Sequence, residues 1–363
     1  MKLLIQPTDG VAAVVRAIDR AKSRVEIAIF RFDRLEIEKA LSKAVSRGVS
    51  VHALIAHTNR GGAQGLRKLE MRLLAAGARV ARTAGDLIRY HGKYMIVDRR
   101  ELFVLSFNFT RLDIDYSRSF GVITRSRKLV QEAGKLFEAD TTRQPYSAGA
   151  PAFVVSPVNA RLQLSRFIRG ARKQLLIYDP EISDAAMLRD LEERAKAGVE
   201  IKIIGCVNPA SAALPAKKLS GLRLHTRVIV RDGRRAFVGS QSLREMELGT
   251  RREVGVIFSA SKLVAGLSKT FLEDWDAADR PSQLAEIDKA PQSTNVAKRV
   301  AKAVAKDLPA VTPVLQIMVR ELAVETGRAE LDCKVIADRV KDAVKEAVQE
   351  AVQNVVDQNG LAN

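Results

Sequence analysis

Tyr90-His91-Gly92-Lys93-Tyr94-Met95-Ile96-Val97-Asp98, followed by Leu102-Phe103-Val104-Leu105-Ser106-Phe107-Asn108, is the stretch from which the rest of the chain can be read. The apolar residues at 94–97 and 102–105 read as two short buried strands, with Asp98-Arg99-Arg100-Glu101 as the turn between them. Successive strand residues face opposite sides, so His91 and Lys93 project from one face, and Asn108 leaves the return strand near the same end. An imidazole, an ammonium and a carboxamide that converge where strands stop suit an anionic, phosphate-like ligand. A single copy is better explained as a histidine and a lysine capping a strand.

There are two copies. Leu224-His225-Thr226-Arg227-Val228-Ile229-Val230-Arg231-Asp232 is followed by Ala236-Phe237-Val238-Gly239-Ser240-Gln241-Ser242. A constant offset of 134 carries His91 onto His225, Lys93 onto Arg227, Asp98 onto Asp232, Ser106 onto Ser240 and Asn108 onto Ser242. The same offset pairs Ser119-Phe120-Gly121-Val122 with Glu253-Val254-Gly255-Val256, and Phe137 with Phe271. Upstream the halves align at an offset of 150, Ala21 with Ala171 and Gly48-Val49 with Gly198-Val199, because the first half carries sixteen extra residues between its glycine and its histidine. The chain contains an internal duplication.

H-x-K-x4-D followed by S-x-N, present twice in one chain, resembles the phospholipase D superfamily, the HKD phosphodiesterases, over residues 1–282. The resemblance implies an α/β fold of two duplicated, α/β/α-layered lobes with mixed sheets, and one active site at their seam fed by both motifs. It also implies a two-step phosphoryl transfer through a phosphohistidine, with no metal and no cofactor. On that resemblance His91 is the nucleophile and His225 the general acid, then base. Lys93, Asn108, Arg227, Ser240 and Ser242 are the phosphate-binding set, with Asp98, Asp232 and Ser106 structural. Relatives often carry an acidic residue at the position of Ser119 and Glu253, where it holds the histidine of the opposite half. Glu253 is therefore expected to orient His91, whereas Ser119 leaves His225 without the equivalent. Arg227 keeps the charge of the family's lysine and can grip phosphate bidentately, though its shape differs. A reference histidine pKa near ~6.5 allows both protonation states around neutral pH. The other two histidines, His52 and His57, lack the motif and read as surface or strand-end residues.

The first half alternates strand and helix, with helices at 10–22, 35–46, 66–76 and 127–140 and strands at 25–30, 49–56 and 120–123. Such alternation implies sheets covered by helices on both faces. Pro, Gly and Ser in 141–151 mark a linker, so the expected parts are a first lobe at 1–143, a second at 144–282 and a helical C-terminal extension at 283–363. The Gly-rich stretch 59–65 matches no dinucleotide or P-loop spacing and reads as a flexible connection at the mouth of the cleft. In the extension, Lys298, Lys302 and Lys306 share a helical face, and a four-residue period through 342–357 winds an apolar band around the helix. Packing on the body and self-association are the two roles such a band suits.

Lys and Arg number 60 against 42 Asp and Glu, a net charge of +18, while residues 290–363 hold ten of each sign. The excess therefore sits on the catalytic body, and a surface that basic favours an anionic partner, nucleic acid or a membrane rich in acidic lipid. Cys206 and Cys333 are isolated, which argues against a disulfide framework or a zinc site and for a reducing cytoplasm. The apolar run at the start is too short for a signal peptide, and no window approaches the roughly 18 apolar residues of a membrane span. Peripheral membrane association stays open. Three readings of the substrate follow: phospholipid head groups, which we favour; nucleic acid; and a scaffold that binds polyanions without turnover, which two intact histidines disfavour.

Overall fold

Two sheets with the same strand order organise the chain. The computed structural model describes residues 1–57, 63–208 and 214–278. The first half runs β1 (Lys2–Gln6), α1 (Ala12–Asp19), β2 (Arg24–Ile29), α2 (Leu35–Ser46), β3 (Ser50–Ile55), α3 (Ala63–Ala75), β4 (Arg79–Arg82), β5 (Arg89–Tyr90), β6 (Tyr94–Val97), β7 (Glu101–Leu105), α4 (Arg111–Asp115), β8 (Ser117–Thr124) and α5 (Arg127–Thr142). The second runs β9 (Phe153–Val155), α6 (Ala160–Arg169), β10 (Gln174–Ile182), α7 (Ala185–Lys196), β11 (Glu200–Val207), β12 (Ala216–Lys217), β13 (Arg223–Leu224), β14 (Arg227–Arg231), β15 (Arg235–Gly239), α8 (Glu245–Gly249), β16 (Arg251–Arg252), β17 (Val254–Phe258) and α9 (Ser261–Ala277).

One sheet has the order β1-β8-β7-β6-β2-β3-β4, and the other, read from its far edge, is β9-β17-β15-β14-β10-β11-β12. Each is mixed in the same way: β2–β3 and β10–β11 are parallel, β2–β6 and β10–β14 antiparallel. The duplication seen in sequence is thus a duplication of topology. The extra residues of the first half include α3, which has no counterpart between β11 and β12 among the described residues. Two edge strands, β1 and β9, were not expected. They are short, and their pairing with β8 and β17 supplies what their sequence does not signal.

Period-two alternation sets which side each strand buries. Along β6, Met95 and Val97 join the apolar layer under α1 and α2, while Tyr94 and Ile96 face the middle of the molecule. The middle layer is shared, with Leu136 and Phe137 of α5 and Leu267 and Phe271 of α9 packed between strands of both sheets. A third layer, including Phe167, Leu188 and Ile203, closes the far side of the second lobe. Both sheets lie in one compact unit within residues 1–282. The expected extension at 283–363, and the glycine-rich stretch up to residue 62, lie outside the described residues. Among the described residues, no helix is long and apolar enough to cross a membrane.

Asp98 and Asp232 occupy equivalent turns in the two lobes. Each sits in the turn after its histidine strand with φ near the left-handed region, 52° and 54°, which aspartate tolerates. The Asp98 carboxylate accepts the amides of Lys22, Ser23 and Arg24 at 2.7–3.2 Å. Asp232 accepts those of Arg172, Lys173 and Gln174 over the same 2.7–3.2 Å. Burial works against the charge of Asp98, but the amides of Arg24, Ser23 and Lys22 prevail and hold its carboxyl below the usual range. A depressed carboxyl contributes stability in full above its unfolded value of about 3.9, and that stability is lost as pH falls through the folded value. Asp98→Ala is therefore expected to cost about 1 kcal/mol at pH 7, less than the ~1.5–3 kcal/mol of hydrogen bonds to a charged group because water screens this partly exposed carboxylate, and far less at pH 3. Urea unfolding at the two pH values measures this; an equal loss at both would remove the charge from the account.

Candidate active site

Each motif histidine is fixed by the opposite lobe, first through the backbone. β5, which leads into His91, pairs with β16 of the second lobe, and the His91 amide donates to the Arg252 carbonyl at 2.7 Å. β13, which leads into His225, pairs with β8 of the first lobe, and the His225 amide donates to the Arg118 carbonyl at 3.2 Å. Two ion pairs repeat the exchange at the same spacing, Arg118 with Asp274 at 2.7 Å and Arg252 with Asp140 at 3.1 Å. Thr226 Oγ1 also donates across the seam to Ser106 Oγ at 2.9 Å.

The side chains follow. His91 Nδ1 lies 2.9 Å from both carboxylate oxygens of Glu253, the residue directly after β16. A carboxylate accepts, so Nδ1 carries the proton and Nε2 keeps its lone pair. Lys93 Nζ lies 2.8 Å from that Nε2 and donates to the His91 carbonyl at 2.8 Å, while the Phe30 ring stands edge-on to the imidazole at 4.5 Å. Thus Glu253 is placed where an orienting carboxylate is needed.

His225 differs from the expectation. It does have a carboxylate nearby: Asp113 of α4, whose Oδ2 is 3.3 Å from His225 Nδ1, an ion-pair distance at which Nδ1 makes no hydrogen bond among the described residues. Asp113 is nearly fully buried, accepts from the Asn108 amide at 2.8 Å and side chain at 2.7 Å, and pairs through Oδ1 with Arg223 at 2.7 Å. Ser119, where relatives often place the acid, donates instead to the Asp113 carbonyl at 3.2 Å and so braces α4. The acid beside His225 thus stands six residues upstream of Ser119, on the short helix before the strand. A signal existed. The offset of 134 pairs Asp113 with Glu247, two acids five residues after Asn108 and Ser242. Glu247 turns to its own lobe, accepting the Ser242 amide at 2.6 Å and lying 3.7 Å from Arg227 and 3.4 Å from Arg251.

Arg227 donates through Nε to Ser242 Oγ at 2.9 Å, and its buried Nη1 has no hydrogen-bond partner among the described residues. The buried Asn108 Oδ1 is likewise unmatched. Ser240 is placed as Ser106 is. The Ser106 hydroxyl donates to Phe120 O and accepts from its amide, both at 2.9 Å, and Ser240 does the same with Val254 at 3.3 and 3.1 Å. His52 is half-buried on β3 with its ring against Phe137 rather than on the surface.

The reference histidine pKa does not describe either imidazole. Burial, then the Lys93 and Arg227 charges, hold His91 well below its ordinary value. Burial also depresses His225, outweighing Asp113, with Arg223, Arg227 and Lys93 acting in the same downward direction. Burial brings the Lys93 ammonium down to about 7, against the attraction of Glu253. Asp113, despite burial, is held well below the usual carboxylate range by His225, Arg223 and the Asn108 amide. Lys93 and Arg227 therefore act on both histidines, one from each lobe.

Comparison with known proteins gives the same frame. A family model described as the cardiolipin synthase, PLD-like domain matches residues 14–141 and 164–275. The mouse (Mus musculus) 5'-3' exonuclease PLD4 is 32% identical over 82 residues, which are 22% of this chain and 16% of that protein. Polyphosphate kinase from Porphyromonas gingivalis superposes with a TM-score of 0.62 at 20% identity, over 74% of this chain and 49% of that one. Phosphatidylserine synthase from Haemophilus influenzae Rd KW20 does so with a TM-score of 0.56 at 11% identity, over 76% of this chain and 86% of that one. The chain thus spans less than a fifth of the exonuclease and about half of the kinase, and the likeness to both solved structures is one of fold. The family match runs through both lobes over more than half of the chain, which belongs to the phospholipase D superfamily, whose members act on phosphodiesters.

Proposed function

We propose that this protein is a phosphodiesterase that opens or exchanges phospholipid head-group esters through a phosphohistidine on His91. The observation that carries the chemistry is a buried Arg227 Nη1 with no partner among the described residues, together with two imidazoles that each face a carboxylate of the opposite lobe, at 2.9 Å for His91 and 3.3 Å for His225. His91 Nε2 attacks phosphorus, and the leaving oxygen departs with a proton from His225. Glu253 supports the cation that develops on His91. Lys93 and Arg227 take the phosphoryl oxygens, Arg227 through the free Nη1 and with Ser242 holding its Nε. His225 is neutral at rest, but an anionic diester offsets the cations that depress it, and Asp113 then supports the imidazolium. Water, deprotonated by His225, clears the adduct.

A lipid substrate is favoured by the outer face of α4, the helix that supplies Asp113. It exposes Leu112 and Tyr116, 46% and 51% accessible, beside Arg111, a surface that suits an acyl-bearing ester better than a polynucleotide. The family description of a cardiolipin synthase supports the same reading. The basic body and the resemblance to an exonuclease favour nucleic acid as the second reading. One purified sample assayed against phosphatidylcholine, phosphatidylglycerol, and single- and double-stranded DNA and RNA separates them. We expect head-group release; cleavage of nucleic acid alone would replace the first reading by the second. Because both catalytic groups are imidazoles, activity should persist in excess chelator, and full loss reversed by zinc or magnesium would contradict the two-histidine mechanism.

A further inference from the structure

Lys93 touches the atom that must react. With Nδ1 committed to Glu253, the His91 lone pair is on Nε2, and the Lys93 ammonium sits 2.8 Å from it. A second bond from Nζ to the His91 carbonyl, also 2.8 Å, holds the ammonium in place, and both side chains are buried. A lone pair that accepts a charge-assisted hydrogen bond is a poor nucleophile until the donor finds a better acceptor. The anionic oxygen of a phosphodiester is such an acceptor, and a neutral electrophile offers none.

We infer that Lys93 caps the nucleophile, so that His91 reacts only with esters carrying an anionic oxygen, which draws the ammonium off Nε2. Lys93 is then a specificity-determining residue as well as a phosphate ligand. With a diester, Nζ shifts to the phosphoryl oxygen, Nε2 forms the N–P bond, and the P–O bond breaks as His225 protonates the leaving oxygen. With a neutral electrophile the cap stays. The charged or titratable groups facing Lys93 are His91, Glu253, Arg227, Asp113, Glu247 and His225. Burial and Arg227 bring the ammonium to about 7 against Glu253, whereas His91 is neutral well below that, so the cap is stronger at pH 6 than at pH 8.

The inference rests on His91 being the nucleophile, but its deciding readout needs no phosphoester. Diethyl pyrocarbonate is a neutral electrophile: Nε2 forms a bond to its carbonyl carbon, ethyl carbonate leaves with the electron pair, and the Nδ1 proton passes to Glu253. Mass spectrometry of digested protein separates the label on His52, His57, His91 and His225. At pH 6, Lys93→Met should carbethoxylate His91 faster than the wild type by about tenfold or more, the worth of one charge-assisted hydrogen bond, while losing diester turnover. A lysine that only bound phosphate would lose turnover with no gain in labelling, and that result overturns the inference. The wild-type protein gives a second, independent reading. Labelling of His91 should climb from pH 6 to pH 8 as the Lys93 ammonium gives up its proton, and a flat profile is equally fatal. Failure to turn over phospholipid bears on the substrate proposal alone and leaves both labelling results interpretable.

Discussion

His91→Ala is expected to lose turnover and the covalent adduct together, by a factor on the order of 10⁴ or more, because the nitrogen that forms the N–P bond is removed. His225→Ala should behave differently with a nitrophenyl ester, whose leaving group is a weak base and scarcely needs an acid. The first step should survive, water would then lack its base, and phosphohistidine should accumulate on His91. Acid-labile phosphate measured by mass spectrometry on rapidly quenched His225→Ala protein decides the matter. Phosphate on another residue, or an adduct that forms normally in His91→Ala, would reverse the assignment. The geometry supports this order of roles: His91 Nδ1 is held at 2.9 Å by both oxygens of Glu253, whereas Asp113 stands 3.3 Å from His225.

The two carboxylates should separate along the same line. Glu253→Gln removes the charge that fixes the His91 tautomer and supports the cation formed on attack, so adduct formation should slow by ~10²–10⁴-fold, the usual worth of an acid–base partner. Asp113→Asn acts on His225, and its loss should depend on the leaving group. It should be large for a natural alkoxide and for hydrolysis of the adduct, and small for adduct formation from the nitrophenyl ester. Single-turnover kinetics of both variants with both esters makes the comparison. An Asp113→Asn protein that matches the wild type with every ester would reduce the carboxylate to a clasp for Arg223 and Asn108, while equal loss from both variants in all steps would mean that α4 or the seam had merely shifted.

Much of this was legible in the residues. The repeat at an offset of 134 carries the histidines, Lys93 and Arg227, and the two turn aspartates, and the aspartates make the same local contacts in each lobe. Strand and helix positions followed from apolar periodicity wherever an element buries a face. Glu253 was expected against His91 from the family resemblance alone, and the structure sets it 2.9 Å from His91 Nδ1, directly after a strand that pairs with the one leading into that histidine.

Other features are properties of the assembled pair of lobes. β1 and β9 lie at the sheet edges, outside the repeated motif, and take their place by pairing with β8 and β17. β5 and β13 are two residues each, and only the opposite lobe makes them strands. Asp113 and Glu247 are equivalent in sequence, yet Asp113 crosses the seam to His225 while Glu247 stays with Ser242, Arg227 and Arg251. Sequence order records which residues correspond, not which nitrogen is still free when two surfaces meet. Here Glu253 already occupies His91 Nδ1 and Ser119 leaves His225 Nδ1 open. The protonation states were beyond sequence for a related reason. The residues specify two imidazoles, a lysine and an arginine, but burial with like charges is what lowers His91, His225 and Lys93, and the packing of one lobe on the other creates that burial.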